Sequence, residues 1–90
     1  MKIRHKGLRA LYERDDARHL PPEQVERIRE ILTALDDAVR PGNMDLPGYR
    51  LQPLRGNMAG CGRVAVSRNF RIVFRFRDGQ AADVDFLDYH

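Results

Sequence analysis

Residues 70–87 read FRIVFRFRDGQAADVDFL, and this segment decides the fold. In its first half apolar residues alternate with arginines, which is the period of a β-strand that buries one face. The face predicted to be core carries Phe70, Ile72, Phe74 and Phe76. The opposite face carries Arg71, Val73, Arg75 and Arg77. A second strand, Ala81 to Leu87, follows Asp78-Gly79, so the segment is predicted to form an antiparallel hairpin.

The register of this hairpin is predicted from parity: residues that pair across the two strands lie on the same face, so buried apolar residues must lie opposite one another. An Asp78-Gly79 dipeptide usually forms a two-residue turn, but that turn sets Phe74 opposite Asp83 and Ile72 opposite Asp85 and would bury two carboxylates. A three- or five-residue loop centred on Asp78 is therefore expected. The resulting pairs are Phe74–Ala82, Ile72–Val84, Phe70–Phe86 and Arg71–Asp85. Continued to the end of the chain, the strand carries Asp88-Tyr89-His90 to the arginine side of the sheet, beside Arg68.

Two helices are predicted before the sheet. The first spans about Gly7 to Arg14, where apolar residues recur at spacings of three and four. The second follows Pro21-Pro22 and runs to about Ala38, with Glu23 and Arg27 paired on its outer face. Its apolar stripe is Val25, Ile28, Ile31, Leu32 and Leu35. Pro41-Gly42 ends it.

Two further strands are predicted after Pro47-Gly48, where the sequence changes to period two. They are Tyr49 to Leu54 and Arg63 to Val66. By the same parity rule, Val64 pairs with Ile72 and Val66 with Phe70 across a loop of residues 67–69. The prediction is one α+β domain over residues 1–90, with two N-terminal helices packed on an antiparallel sheet of about four strands.

The basic residues are unevenly distributed. The net charge is only +3, but residues 46–77 contain seven arginines and no acidic residue. Arginine suits bidentate phosphate contact and base stacking, so a nucleic acid is the expected partner. A solvated strand face with cross-strand pairs is the alternative that the charge pattern leaves open.

Composition excludes several classes of protein. No apolar run reaches the ~20 residues that span a bilayer, and the N-terminus lacks the apolar stretch of a signal peptide, so a cytoplasmic location is expected. The single cysteine, Cys61, is interpreted as a packing residue. His5 and His19 are interpreted as surface residues without partners.

Four blocks of the sequence resemble HigB-type toxins, a branch of the RelE/ParE toxin superfamily. They are His5-Lys6-Gly7-Leu8, GYRLQPLRG at residues 48–56, NFRIVFRF at residues 69–76 and the terminal DVDFLDYH at residues 83–90. The resemblance implies a RelE-like fold and the role of toxin in a type II toxin-antitoxin system. It further implies ribosome-dependent cleavage of messenger RNA without a metal or other cofactor, and neutralisation by a HigA-like helix-turn-helix antitoxin. The free toxin is expected to be a monomer.

Two positions depart from the family pattern. HigB proteins usually carry histidine where this chain has Gln52, and an aromatic pair where it has Cys61-Gly62. A carboxamide positions a hydroxyl or a phosphate oxygen but does not exchange protons at neutral pH. An attenuated activity is therefore expected.

Metal-free RNA cleavage uses the adjacent 2′-hydroxyl as nucleophile and needs a base, an acid and positive charge at the phosphate. The catalytic candidates are His90 for proton transfer, Asp88 to orient it or act as base, Tyr89 to stack or donate, and Arg71 for the transition-state charge. The RNA-binding candidates are Arg55, Arg50, Gln52, Arg68, Arg75 and Lys6. A metal site from Asp85, Asp88 and His90 is conceivable but disfavoured, because the surroundings are cationic.

Two alternative functions remain open at this point. Gln52 favours a catalytically weak protein that binds nucleic acid and its antitoxin in autorepression. A ParE-like gyrase poison shares the fold, although the terminal Asp-Tyr-His favours the HigB branch.

Overall fold

A computed structural model describes residues 1–53 and 60–89 of the 90-residue chain. Two helices precede an antiparallel four-stranded sheet with the strand order β1-β2-β3-β4. The elements are α1 (Lys6–Arg14), α2 (Val25–Asp37), β1 (Gln52–Pro53), β2 (Cys61–Ala65), β3 (Phe70–Arg77) and β4 (Gln80–Asp88), with 3-10 turns at Pro22–Gln24 and Pro41–Met44. The predicted α+β class is confirmed. None of the helices in residues 1–53 and 60–89 has both the length and the apolar character to cross a membrane.

Both helices bury the side chains that their periodicity singles out. Leu8 and Leu11 of α1 pack in the same core as the α2 stripe, of which Ile28, Ile31, Leu32 and Leu35 are buried. The second helix begins later than predicted, because Pro22–Gln24 is a 3-10 turn, and it ends at Asp37, within one residue of the predicted end. The predicted Glu23–Arg27 pair is wrong: Glu23 lies in that turn, and Arg27 pairs with Glu30 at 3.0 Å.

The hairpin of β2 and β3 has the predicted register. Val64 lies opposite Ile72, and the backbone N–H of Val66 donates to the carbonyl of Phe70. The strand predicted at Tyr49 to Leu54 is shorter, with regular pairing only at Gln52 and Pro53 and with Leu54 outside the described residues. Arg50 has a left-handed backbone (φ 52°), which interrupts the strand although the Tyr49 carbonyl still accepts from Ala65.

The predicted register of β3 and β4 is wrong. Arg77 lies opposite Gln80, so Asp78 and Gly79 do form a two-residue turn. The burial of carboxylates expected from this turn is avoided by a β-bulge: between the pairs Val73–Asp85 and Arg75–Ala82, β3 has one residue and β4 has two. The extra residue is Asp83, which has a left-handed backbone (φ 50°). The pairs observed are therefore Ile72–Phe86, Arg71–Leu87 and Phe70–Asp88.

The N-terminal segment joins the free side of β4 and leads into α1. Ile3 forms a parallel bridge with Val84. His5 then caps α1, its Nδ1 accepting from the backbone N–H groups of Gly7 (3.1 Å) and Leu8 (3.2 Å). Its ring packs edge-on against Phe86, with 5.4 Å between centroids. His5 is thus a capping residue at the helix–sheet junction, and its interpretation as a surface residue without partners is wrong.

Candidate functional site

The outer face of the sheet, opposite the helices, carries the polar residues of interest. Residues directly opposite one another in an antiparallel sheet share a face. One row across the sheet is Gln52, Arg63, Val73 and Asp85, and the next is Ala65, Arg71 and Leu87. Tyr89 follows Leu87 by two residues and so belongs to this face. We call these residues the outer face.

Tyr89 is held between two guanidinium groups of the outer face. Arg63 Nη1 donates to the Tyr89 hydroxyl at 2.8 Å. The guanidinium carbons of Arg63 and Arg71 lie 5.4 and 5.7 Å from the centroid of the Tyr89 ring. The backbone N–H of Tyr89 donates to the Asn69 carbonyl at 2.6 Å, which fixes the strand end beside the β2–β3 loop. The prediction that the end of the chain approaches the arginines is confirmed for Tyr89.

Arg63 also connects Tyr89 to Gln52. Its Nε donates to Gln52 Oε1 at 2.5 Å. Gln52, the first of the two departures noted in the sequence, therefore contacts the same guanidinium group as Tyr89. Because the Tyr89 oxygen accepts from Arg63, its own hydrogen is available for an incoming anion.

Arg71 is fixed by backbone carbonyls of the β2–β3 loop. Its Nη1 donates to the carbonyls of Ser67 (2.6 Å), Phe70 (3.0 Å) and Arg68 (3.3 Å). The predicted partner Asp85 lies opposite Val73 instead, and its carboxylate accepts from the Phe86 backbone N–H. Arg71 is therefore positioned by backbone carbonyls and has no carboxylate partner among the described residues.

Beside Arg71 the surface forms a concavity of about 450 Å³, which we call the arginine pocket. Its lining is Arg27, Gly48, Arg50, Ala65, Val66, Ser67, Arg68 and Arg71. Arg27 reaches it from α2, with Nη2 donating to the Gly48 carbonyl at 2.8 Å and the guanidinium over the Tyr49 ring at 4.4 Å. Two of the RNA-binding candidates, Arg50 and Arg68, thus lie next to Arg71.

At the other end of the outer face three arginines share one carboxylate. Asp83 lies within 3.4–3.6 Å of guanidinium nitrogens of Arg4, Arg75 and Arg77. The arginine-rich segment has no acid in sequence, but the bulge brings this carboxylate into it. The expectation of a one-signed patch is therefore wrong for this end, and Arg75 is engaged with Asp83.

Two candidates are placed away from this cluster. Asp88 lies opposite Phe70 and so on the core side of the sheet, not on the outer face. Lys6 is exposed at the start of α1, next to the His5 cap that packs on Phe86. Arg55 and His90 lie outside the described residues. Within residues 1–53 and 60–89, no group of three His, Cys, Asp or Glu side chains is placed to hold a metal ion.

The departure at Cys61-Gly62 concerns packing. Cys61 is buried, as interpreted from the sequence, and Gly62 lies opposite Phe74. A Cβ at Gly62 would lie 3.1 Å from the Phe74 ring and 3.3 Å from Leu51. Phe74 therefore occupies the space that a larger residue at this position would need.

Sequence reasoning missed two arginines of the site. Arg63 was recoverable, because the correctly predicted β2–β3 register places it opposite Val73 on the arginine-bearing face. Arg27 was not, because α2 carries it and only the packing of the helix against Gly48 and Tyr49 brings it to the pocket.

Burial lowers the pKa of His5 below its ordinary value, and nearby Asp85 opposes this shift. Neutral His5 is the form that accepts two backbone hydrogen bonds, so capping and burial favour the same protonation state.

Comparisons with known proteins cover the whole chain. Residues 1–90 match the HigB-like toxin family, described as RelE-like toxins of the type II toxin-antitoxin system HigB. The chain is 37% identical over 88 residues to Endoribonuclease HigB of Proteus vulgaris, covering 98% of this chain and 96% of that protein. It is 30% identical over 92 residues to Toxin HigB-1 of Vibrio cholerae serotype O1, covering 100% of this chain and 96% of that protein. The chain therefore belongs to the HigB-like family of RelE-like toxins.

Proposed function

We propose that this chain is a ribosome-dependent endoribonuclease, the toxin of a type II toxin-antitoxin pair, which cleaves messenger RNA by attack of the adjacent 2′-hydroxyl. A HigA-like helix-turn-helix antitoxin neutralises it, and the free toxin acts in the cytoplasm as a monomer. The name of the Proteus vulgaris relative supports the reaction class. The observation that carries the proposal is Tyr89, held between Arg63 and Arg71 on an outward-facing surface.

The proposed chemistry divides among the groups at this end of the sheet. Arg71 stabilises the charge that develops on the phosphorane, because its guanidinium is held in place by carbonyls and needs no reorganisation. Tyr89 donates its hydroxyl hydrogen to a phosphate oxygen while Arg63 orients it. His90, the next residue in the chain, is the proposed proton-transfer group, and Asp88 is proposed to orient it.

Arg50, Arg68 and Arg55 are proposed to hold the RNA backbone. Arg50 and Arg68 are exposed and have no salt bridge within the described part of the chain. Exposed guanidinium groups without a carboxylate partner retain their full attraction for phosphate. Arg75 and Lys6, also RNA-binding candidates, are proposed to contribute only long-range attraction.

Induced expression in a bacterium tests the proposal. The wild-type chain is expected to arrest growth with cleaved transcripts, whereas His90→Ala and Arg71→Ala relieve arrest and still bind the antitoxin. Arg14→Ala, on an exposed position of α1, serves as control and remains toxic. Intact transcripts during wild-type arrest contradict a nuclease, and DNA damage instead of transcript cleavage identifies the ParE-like alternative.

A second candidate function rests on Gln52. It accepts a hydrogen bond from Arg63 where the family usually supplies an imidazole, which favours a catalytically weak protein that acts mainly with its antitoxin in autorepression. This candidate predicts antitoxin binding and operator repression without growth arrest at any expression level.

A further inference from the structure

We infer that the arginine pocket is a second phosphate subsite, which binds the backbone phosphate next to the one that is cleaved. The subsite uses Arg50 and Arg68 as exposed ligands, Arg71 as the residue shared with the cleavage site, and Arg27, whose guanidinium is fixed by backbone carbonyls. This inference rests on the proposed function, because it takes RNA as the ligand.

The charged residues that line the pocket are all positive. Four of its eight lining residues are arginines, and none is acidic. Glu30 pairs with Arg27 from α2 but is not among the lining residues. By contrast, the Asp83 carboxylate lies among the arginines at the far end of the outer face and partly offsets their charge. An anion is therefore attracted to the pocket in preference to the Arg75–Arg77 end.

Two of the four guanidinium groups are fixed before a ligand arrives. Arg27 Nη2 donates to the carbonyls of Gly48 (2.8 Å) and Ala65 (3.3 Å), which covers oxygens that would repel a phosphate. Arg71 Nη1 covers the Ser67 carbonyl in the same way. The carbonyls of Gly48, Ala65 and Ser67, three residues that line the pocket, thus already have guanidinium donors and repel an incoming anion less.

Arg71 connects the pocket with Tyr89. The Arg71 guanidinium is 5.7 Å from the Tyr89 ring and also lines the pocket. A fork-shaped guanidinium has five N–H donors, so one arginine can contact two successive phosphates. A strand cleaved beside Tyr89 would place its neighbouring phosphate against Arg50 and Arg68.

The test measures binding of a short, labelled, fully 2′-O-methylated oligoribonucleotide, which cannot be cleaved. A set is prepared in which each phosphate in turn is replaced by a neutral methylphosphonate. The proteins are the wild type, Arg50→Gln/Arg68→Gln and the control Arg9→Gln/Arg14→Gln, which removes the same charge from exposed positions of α1. Urea unfolding verifies that all three are equally stable.

The wild type and the control are expected to lose roughly tenfold in affinity at one methylphosphonate position. The Arg50→Gln/Arg68→Gln variant should bind the unmodified RNA roughly tenfold more weakly and lose no further affinity when that phosphate is replaced. The slope of its log affinity against log salt concentration should be smaller by about 0.7, the contribution of one phosphate contact. Three results would overturn the subsite: no binding of the RNA by the wild type, equal affinity of this variant and the wild type, or the same loss of affinity in both proteins at every methylphosphonate position. Cleavage of an unmodified message on ribosomes is measured in parallel, so that the nuclease proposal stands or falls independently.

Discussion

Replacing Asp83 by asparagine should weaken the fold and strengthen RNA binding at the same time. The Asp83 carboxylate lies 3.5 Å from Arg75 Nε, 3.4 Å from Arg77 Nη2 and 3.6 Å from Arg4 Nε. Asparagine has the same shape and also tolerates the left-handed backbone at this position, so the substitution removes the charge and little else.

The size of the effect follows from exposure. The side chain of Asp83 is 29% exposed, and those of Arg75 and Arg77 are 35% and 59% exposed. Solvent-screened pairs of this kind contribute about 0.2–1 kcal/mol each and are not additive, so we expect a loss of about 1 kcal/mol in the free energy of unfolding at low salt. At 1 M salt, where the Debye length is ~3 Å, the loss should nearly disappear.

Urea unfolding at both salt concentrations measures the stability, and anisotropy with the uncleavable oligonucleotide measures binding. Asp78→Asn is the matched control, because Asp78 lies in the same hairpin, also has a left-handed backbone (φ 52°), and has no salt bridge within residues 1–53 and 60–89. Asp83→Asn should bind RNA more tightly with a steeper salt dependence, whereas Asp78→Asn gains less. A loss of stability that is the same at both salt concentrations, or unchanged RNA affinity, would refute the reasoning.

Three further predictions follow from single contacts. Gly62→Ala should lower the free energy of unfolding by about 1–3 kcal/mol, since the new Cβ would lie 3.1 Å from the Phe74 ring. An unchanged urea midpoint would show that the Phe74 ring can move aside without loss of stability. Because burial lowers the pKa of His5 below its unfolded-state value, the unfolded chain binds the proton more readily, and stability should fall from pH 7 to pH 5. His5→Asn, whose side chain can cap the helix but does not titrate, should lose less stability between pH 7 and pH 5. An equal loss of stability in the two proteins over that range would exclude His5 as the cause. Gln52→His should increase ribosomal cleavage, because it restores an imidazole next to Arg63; a rate that is unchanged or lower argues against attenuation by Gln52.

The sequence was sufficient for elements with unbroken periodicity. The stripe of α2 and the alternation of β3 each identified the buried side, and parity alone gave the β2–β3 register, since no residue is inserted between Val64 and Val66. Parity failed for β4 because it assumes a regular strand. One extra residue at Asp83 satisfies both the two-residue turn and the burial of Phe74, and a bulge of this kind is specified by three-dimensional packing.

The site was partly predictable for the same reason. Arg71 and Tyr89 were expected on one face, and the structure brings them together. The role expected for Asp85 was wrong because the bulge moved it opposite Val73. Arg27 enters the arginine pocket through the packing of α2 on Tyr49, a contact between residues 22 positions apart that no local pattern records.

The rate of messenger cleavage by purified toxin on ribosomes, compared for Tyr89→Phe and Tyr12→Phe, tests the central claim most directly. Both tyrosines are exposed and hydrogen-bonded, but Tyr12 lies on α1 with Asp36 as its partner. A cleavage site at Tyr89 predicts a decrease of at least about tenfold for Tyr89→Phe, because a hydrogen bond to a charged group contributes about 1.5–3 kcal/mol, with Tyr12→Phe as active as the wild type. Equal cleavage by all three proteins would contradict a reaction centred on Tyr89 and its two arginines.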